Sequence, residues 1–246
     1  MVTCALSIIA VKIEMEQMLA PEAVEKAKKE LVRINEDLFR QSSLKFPLPK
    51  EESTEKPVLY VFRHGQSVDN EDFVFSGWRD SYLSETGINQ ARLLGERMGG
   101  KKIDLGIHSR LSRSLETLNI VLSYLPDQKS IRREMDDRII ERSYGILQGQ
   151  SKVESFLTDR SLYEKYHRAY DFPAKDGESL KMVEERILPF CSELKQRMKK
   201  ETINVAISAH SNSMRVLRRY FENLTIEEMS QLENPLAQDY CSYVID

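Results

Sequence analysis

Two short apolar runs constrain this chain more than any other feature. Val58-Leu-Tyr-Val-Phe62 and Ile203-Asn-Val-Ala-Ile-Ser208 read as strands buried on both faces, the kind that fill a parallel sheet. Each is followed at once by a histidine. His64 lies in Arg63-His64-Gly65-Gln66-Ser67, and His210 in Ala209-His210-Ser211-Asn212-Ser213. In open α/β sheets, ligands bind at the carboxyl ends of the strands, so two strands can bring two histidines into one site. A lone histidine in such a place is more often structural. A pair, each with small polar neighbours and a nearby arginine, points to chemistry.

The rest of the chain alternates in the same sense. A helix follows Ser84, with Ile88, Ala91, Leu94 and Met98 on one side. A short strand covers Asp104 to Ile107, a helix about Leu111 to Tyr124, and a weak strand the region of Ile131. A long helix spans Glu178 to Lys200, where Pro189 is expected to kink it. A helix begins near Asn212, and Tyr240 to Ile245 reads as a last strand. The alternation predicts an α/β domain with a largely parallel central sheet.

Residues 57–246 are assigned to this domain and residues 1–56 to an N-terminal extension. The boundary is the proline- and charge-rich stretch from Phe46 to Pro57, which reads as a linker. Before it, Pro21 opens a helix whose Val24, Ala27, Leu31, Ile34 and Leu38 form one apolar face. That face needs a partner, either the main domain or another subunit of a homo-oligomer. The run Cys4 to Val11 is too short for a membrane span and lacks the basic start of a signal peptide. Met15 and Met18 offer alternative starts. With 36 basic and 39 acidic residues, the net charge is −3, which gives no reason to expect nucleic acid or an anionic membrane as partner. Cys4, Cys191 and Cys241 form no CxxC and no disulfide framework, which fits a reducing, cytoplasmic setting. No cluster of His, Cys and carboxylates has metal-ligand spacing.

Phosphoryl transfer accounts for the surroundings of the histidines. It needs an in-line nucleophile and cations around the equatorial oxygens. Arg63 adjoins His64, and Arg113 in Ser109-Arg-Leu-Ser-Arg113-Ser lies at a helix start, where free N–H groups are expected to help bind an anion. Neighbouring arginines also disfavour imidazolium, which keeps His64 neutral and nucleophilic.

The ordered motifs go further. Arg63-His64-Gly65, Gly77-Trp78-Arg79-Asp80 and Leu83-Ser84-Glu85-Thr86-Gly87 resemble the opening of the phosphoglycerate mutase branch of the histidine phosphatases. Glu141-Arg142-Ser143-Tyr144-Gly145, Leu147-Gln148-Gly149, Lys152, Gly177-Glu178-Ser179-Leu180 and Ala209-His210-Ser211-Asn212-Ser213-Met214-Arg215 are similar to its later motifs. The resemblance covers about residues 58–246 and implies a three-layer fold with helices on both faces of the sheet. It implies that His64 becomes phosphohistidine, that Arg63, Arg113 and His210 surround the phosphoryl group, and that Glu141 is general acid and base. Asn70 and Asn212 would orient or contact that group. Ser67, Ser76, Gly77, Arg142, Tyr144, Lys152 and Arg168 would contact the remaining acidic groups of a small phosphorylated substrate. It implies no metal and no permanently bound cofactor, with 2,3-bisphosphoglycerate as phosphoryl primer.

Several positions depart from that pattern. Ser211 stands where the mutases usually have glycine, and its hydroxyl is expected either to bind phosphate or to crowd it. His167-Arg168 replaces a pair of arginines, and Asn234-Pro235-Leu236-Ala237 replaces a Pro-Thr-Gly. His108, where the family more often has a small polar residue, reads as structural or rim. A short segment between Tyr170 and Glu178, and an end at Asp246 without a further tail, are expected to leave the site wetter. The leading reading is a phosphoglycerate mutase. A phosphomonoesterase with water as acceptor is the second, and an inactive binding homologue the third.

Overall fold

A computed structural model describes residues 19–246. The readings of Cys4 to Val11, Met15 and Met18 lie outside the described residues. Five strands form one sheet: β1 (Val58–Arg63), β2 (Leu105–His108), β3 (Arg132–Met135), β4 (Val205–Ala209) and β5 (Cys241–Val244), in the order β3-β2-β4-β1-β5. All neighbours are parallel except β1 and β5. β1 and β4 are therefore adjacent, with Arg63 opposite Ala209, so both chains leave the sheet at the same edge.

Period-two alternation divides β1 between two cores. Val58, Tyr60 and Phe62 pack with Leu94 and Met98 of α3 (Glu85–Met98) and with Leu118, Val121 and Leu122 of α4 (Ser112–Leu122). Leu59 and Val61 face the other way, toward Val183, Ile187 and Leu194 of α7 (Leu180–Glu201) and Leu217 of α8 (Ser211–Glu222). The result is three layers, helix–sheet–helix, as the motifs implied. α7 runs through Pro189 as one element. Between β1 and α7 lie α2 (Val68–Glu71), α5 (Lys152–Thr158) and α6 (Arg160–Arg168); α9 (Ile226–Gln231) follows α8.

The helix expected after Pro21 is α1 (Pro21–Lys45). Its Ala27 and Leu31 are buried against Phe75, Tyr144, Val153, Phe156 and Tyr163, with Val24 and Ile34 beside them. The chain's own domain covers this face, so the face gives no argument for a subunit contact. The stretch from Phe46 to Pro57 is bonded along β5 rather than free. Ser242 donates its N–H to the Pro49 carbonyl (2.9 Å), and Glu51 N–H donates to the Ser242 carbonyl (3.2 Å). Lys50 reaches Asp239 and stacks over the Tyr240 ring. Its prolines suit an outer edge, where a missing N–H leaves no ladder bond unmade.

Cys191 and Cys241 are free and buried in the core, and burial pushes both thiols up, to about 12 and about 11. They behave as small apolar residues. Among the described residues, no helix is long and apolar enough to cross a membrane.

Candidate active site

The loop after β1 is pressed against the first turn of α3. A Cβ on Gly65 would lie 2.4 Å from the Gly87 carbonyl oxygen, so any side chain there would push the loop off. This close approach fixes His64 over the end of β4, with its N–H donating to the Ala209 carbonyl (3.0 Å). The His64 and His210 rings stand 5.0 Å apart between centroids, and both are buried.

His64 Nδ1 lies 2.6 Å from the Gly65 carbonyl oxygen. A carbonyl can only accept, so Nδ1 carries the proton and Nε2 is left with its lone pair. Burial, then the His210 ring and the charges of Arg113 and Arg63, hold the His64 pKa well below the usual histidine range. The ring is therefore neutral at neutral pH, as a nucleophile must be. His210 is also held neutral, by burial first and then by Arg113, Arg63 and Arg186. Ser109 Oγ lies 2.8 Å from His210 Nε2, while its buried Nδ1 has no partner.

A cavity of about 440 Å³ opens in front of His64, within the range of small-molecule sites. Arg63, Arg113, Asn70, Ser76, Gly77, Glu141, Tyr144, Lys152, Ser211 and Asn212 all line it, as expected. Arg113 is anchored by the Gly77 and Arg79 carbonyls (2.8 and 3.0 Å), and Arg63 by the Asn234 carbonyl (3.1 Å). Arg63 Nε and Ser76 Oγ are buried without a partner. Leaving such a group unpaired costs about 1–3 kcal/mol, so a ligand rich in acceptor oxygens gains by satisfying them.

Glu141 is held in place from several directions. Its Oε1 accepts from Arg142 N–H (2.8 Å), Asn212 N–H (3.1 Å) and Asn212 Nδ2 (2.9 Å). Its carbonyl accepts from Trp78 Nε1 (2.7 Å) and from Arg186 (3.0 Å), which also pairs with Glu178. Among the described residues nothing donates to Oε2. Burial favours the protonated carboxyl, but the hydrogen bonds from Arg142 and Asn212 and the charges of Arg113 and Arg63 outweigh it. The balance holds Glu141 below its ordinary pKa. The Gly177-Glu178-Ser179 motif thus acts as a strut. Glu178 also accepts from Ser143 N–H (2.9 Å), and Ser179 caps α7.

Five expectations need correction in position. His210, expected beside the phosphoryl group, does not line the cavity, and its Nε2 is taken up by Ser109 Oγ. Ser67 is fully buried and its hydroxyl caps α2 by accepting from Asn70 N–H (3.3 Å), so it does not face the cavity. Arg168 turns to Glu233 (2.5 Å) and also donates to the Ser230 carbonyl. Arg142 lies behind Tyr144, its guanidinium 4.7 Å over that ring, with Nε unpartnered. The start of α4 is not a free anion site, because Asp80 accepts from Ser112 N–H and Oγ (2.8 and 2.6 Å). The helix start at the cavity is that of α8, where Ser211 and Asn212 sit. His108 bonds the Ser109 carbonyl outside the cavity.

The sequence reading missed Glu233, Arg215, Gln66, Phe73, Tyr163 and a stripe of α1, all at the cavity. Arg215 pairs with Glu233 (2.9 Å), so one carboxylate holds two arginines. The only sequence signal for Glu233 was its place beside the irregular Asn234-Pro235. His167 lines the cavity, stacked on Tyr163 at 5.3 Å. Burial and the nearby cations Arg168, Lys152, Arg215 and Arg142 keep it neutral, so it does not replace the charge of an arginine.

A neutral histidine with a free Nε2, sharing its cavity with the buried Arg113, the part-buried Arg63 and a carboxylate, has the parts of a phosphoryl-transfer site. The family model for the histidine phosphatase superfamily (branch 1) matches residues 59–245, and the chain belongs to that superfamily. A phosphoglycerate mutase of Schizosaccharomyces pombe is 37% identical over 72% of this chain and 84% of its own length. A 2,3-bisphosphoglycerate-dependent phosphoglycerate mutase of Parvibaculum lavamentivorans is 39% identical over 71% and 84%. Among solved structures, YhfR of Bacillus stearothermophilus aligns with a TM-score of 0.67 at 24% identity, over 76% of this chain and 90% of that one. A mycobacterial glucosyl-3-phosphoglycerate phosphatase aligns at 0.66 and 21%, over 76% and 90%. At these identities the structures bear on the fold alone.

Proposed function

We propose that this enzyme is a phosphoglycerate mutase, interconverting 2-phosphoglycerate and 3-phosphoglycerate through a phosphohistidine at His64. The observation that carries the reading is the second set of polar groups that lines the cavity together with His64. Ser76, Tyr144 and Lys152 line it and Arg142 backs Tyr144, where an acidic group beyond the phosphoryl would lie. A simple phosphatase has less need of them. The curated relatives named as mutases support the same reading.

In the forward half-reaction His64 Nε2 attacks phosphorus, the ester P–O bond breaks, and the leaving oxygen takes a proton from Glu141. Arg63 and Arg113 carry the charge on the equatorial oxygens. A bound phosphate dianion offsets the arginines that hold the Glu141 pKa down, and so favours the protonated carboxyl at the moment it is needed. In the return step an acceptor hydroxyl gives its proton to the Glu141 carboxylate as its oxygen takes the phosphoryl group from Nε2. Bound 2,3-bisphosphoglycerate would supply the first phosphoryl group. Arg63, Arg113 and Lys152 would hold it, and the unpartnered Ser76 hydroxyl suits such an acceptor-rich ligand. Work on small phosphorylated metabolites fits a cytoplasmic setting.

A second reading is a phosphomonoesterase. It is favoured by Glu233, which occupies Arg168 and Arg215, and by the neutral His167. One assay separates the two: 3-phosphoglycerate with and without 2,3-bisphosphoglycerate, following 2-phosphoglycerate and free phosphate. Primer-dependent 2-phosphoglycerate is the expected product. Free phosphate alone would establish the phosphatase.

Two smaller predictions follow from the site. Activity is expected to survive EDTA, because Arg63 and Arg113 already supply the positive charge; loss restored by a divalent ion would overturn this. Ser211 stands at the cavity in the first turn of α8, and no hydrogen bond within the described chain uses its hydroxyl. Ser211→Gly is expected to weaken substrate or primer binding about ten- to one-hundred-fold, the contribution of a hydrogen bond to a charged group. A rise in kcat/KM with phosphoglycerate would instead mean that Ser211 narrows the approach to His210.

A further inference from the structure

The apolar face of α1 docks the helix on the domain, but a second stripe has another use. Val32, Asn35, Glu36 and Phe39 follow the i, i+3, i+4, i+7 spacing that puts residues on one helix face, and all four line the cavity in front of His64. Val32 and Phe39 are 43% and 39% exposed and belong to none of the apolar clusters, so packing of the fold does not account for them.

The helix is fixed at both ends. Ala27 and Leu31 anchor its first half among Phe75, Tyr144 and Tyr163, and Arg160 pairs with Glu30 (2.9 Å). At its end Ser42 Oγ accepts from Glu233 N–H (2.7 Å), and Lys45 donates to Gln231 (2.9 Å). The Phe46 and Pro47 carbonyls accept from the buried Arg218 (3.1 and 3.3 Å). α1 therefore spans the mouth from the α5–α6 side to the loop after α9. It lies outside the residues matched by the family model, so this wall is an addition to the superfamily domain.

We propose that α1 is a wall of the active site, and that Val32 and Phe39 select an alcohol over water as acceptor of the phosphoryl group on His64. The inference rests on the phosphohistidine reading above. Hydrolysis would break the Nε2–P bond, join water oxygen to phosphorus and pass a water proton to the Glu141 carboxylate. Its rate depends on how often water stands in line behind phosphorus. Two apolar side chains at the mouth disfavour ordered water there, whereas a bound acceptor brings its own hydroxyl into line. Asn35 and Glu36 lie between them on the same stripe and also line the cavity.

The test uses the full chain. Wild type and the double variant Val32→Ala/Phe39→Ala are labelled from phosphorylated donor, freed of it, and followed for loss of the label in buffer. Both side chains are partly exposed, so the fold should survive. Leu44→Ala, on the same helix but 81% exposed and away from the cavity, is the control. The double variant is expected to lose label at least about five-fold faster and to release more phosphate per isomerisation. A lifetime within two-fold of wild type would overturn the inference while leaving the phosphohistidine reading intact. Wild type that takes no label at all would overturn both.

Discussion

His64→Ala is expected to abolish both phosphoryl transfer and hydrolysis. The reason is positional as well as chemical. His64 Nδ1 is committed to the Gly65 carbonyl, which leaves Nε2 as the free nucleophilic nitrogen at the cavity. His210 cannot replace it, since it lies behind the cavity lining with Nε2 on Ser109. Loss of a covalent nucleophile can cost on the order of a million-fold in kcat, leaving only positioning and charge stabilisation. The measurement is labelling by a phosphorylated donor, followed by stability tests. Phosphohistidine is acid-labile and alkali-stable, and label of that kind should be present in wild type and absent from His64→Ala. Its persistence in the variant would place the nucleophile elsewhere.

Glu141→Gln is expected to lower kcat by about 100- to 10,000-fold, the usual contribution of a general acid–base group, with a smaller change in KM. Glutamine keeps the shape and can still accept from Arg142 and Asn212, but it cannot transfer a proton. The loss should depend on the leaving group. An ester such as p-nitrophenyl phosphate, whose alcohol leaves without protonation, should be slowed much less than phosphoglycerate. Equal slowing of both would remove Glu141 from the proton-transfer role and leave it as a support for Asn212 and the start of α8.

The two histidine strands were legible because burial on both faces leaves an uninterrupted apolar run, and because β1 and β4 lead straight into His64 and His210. The α3 helix was legible from its apolar spacing. Arg63, Arg113 and Glu141 could be named from ordered motifs. The sequence alone therefore determined the layered α/β fold, the pairing of His64 with His210 and the class of chemistry. Other features depended on contacts between residues far apart in the chain. Arg168 left the cavity because Glu233, distant in sequence, reached it together with Arg215. The charge left in the cavity follows from those pairings rather than from composition. The place of α1 was likewise beyond sequence. Periodicity showed that Ala27 and Leu31 needed a partner, but only the packing of Phe75, Tyr144 and Tyr163 chose which surface they met. That choice alone brought Val32 and Phe39 to the mouth of the active site. A helix stripe reports which side is apolar; the tertiary structure decides what that side lies against.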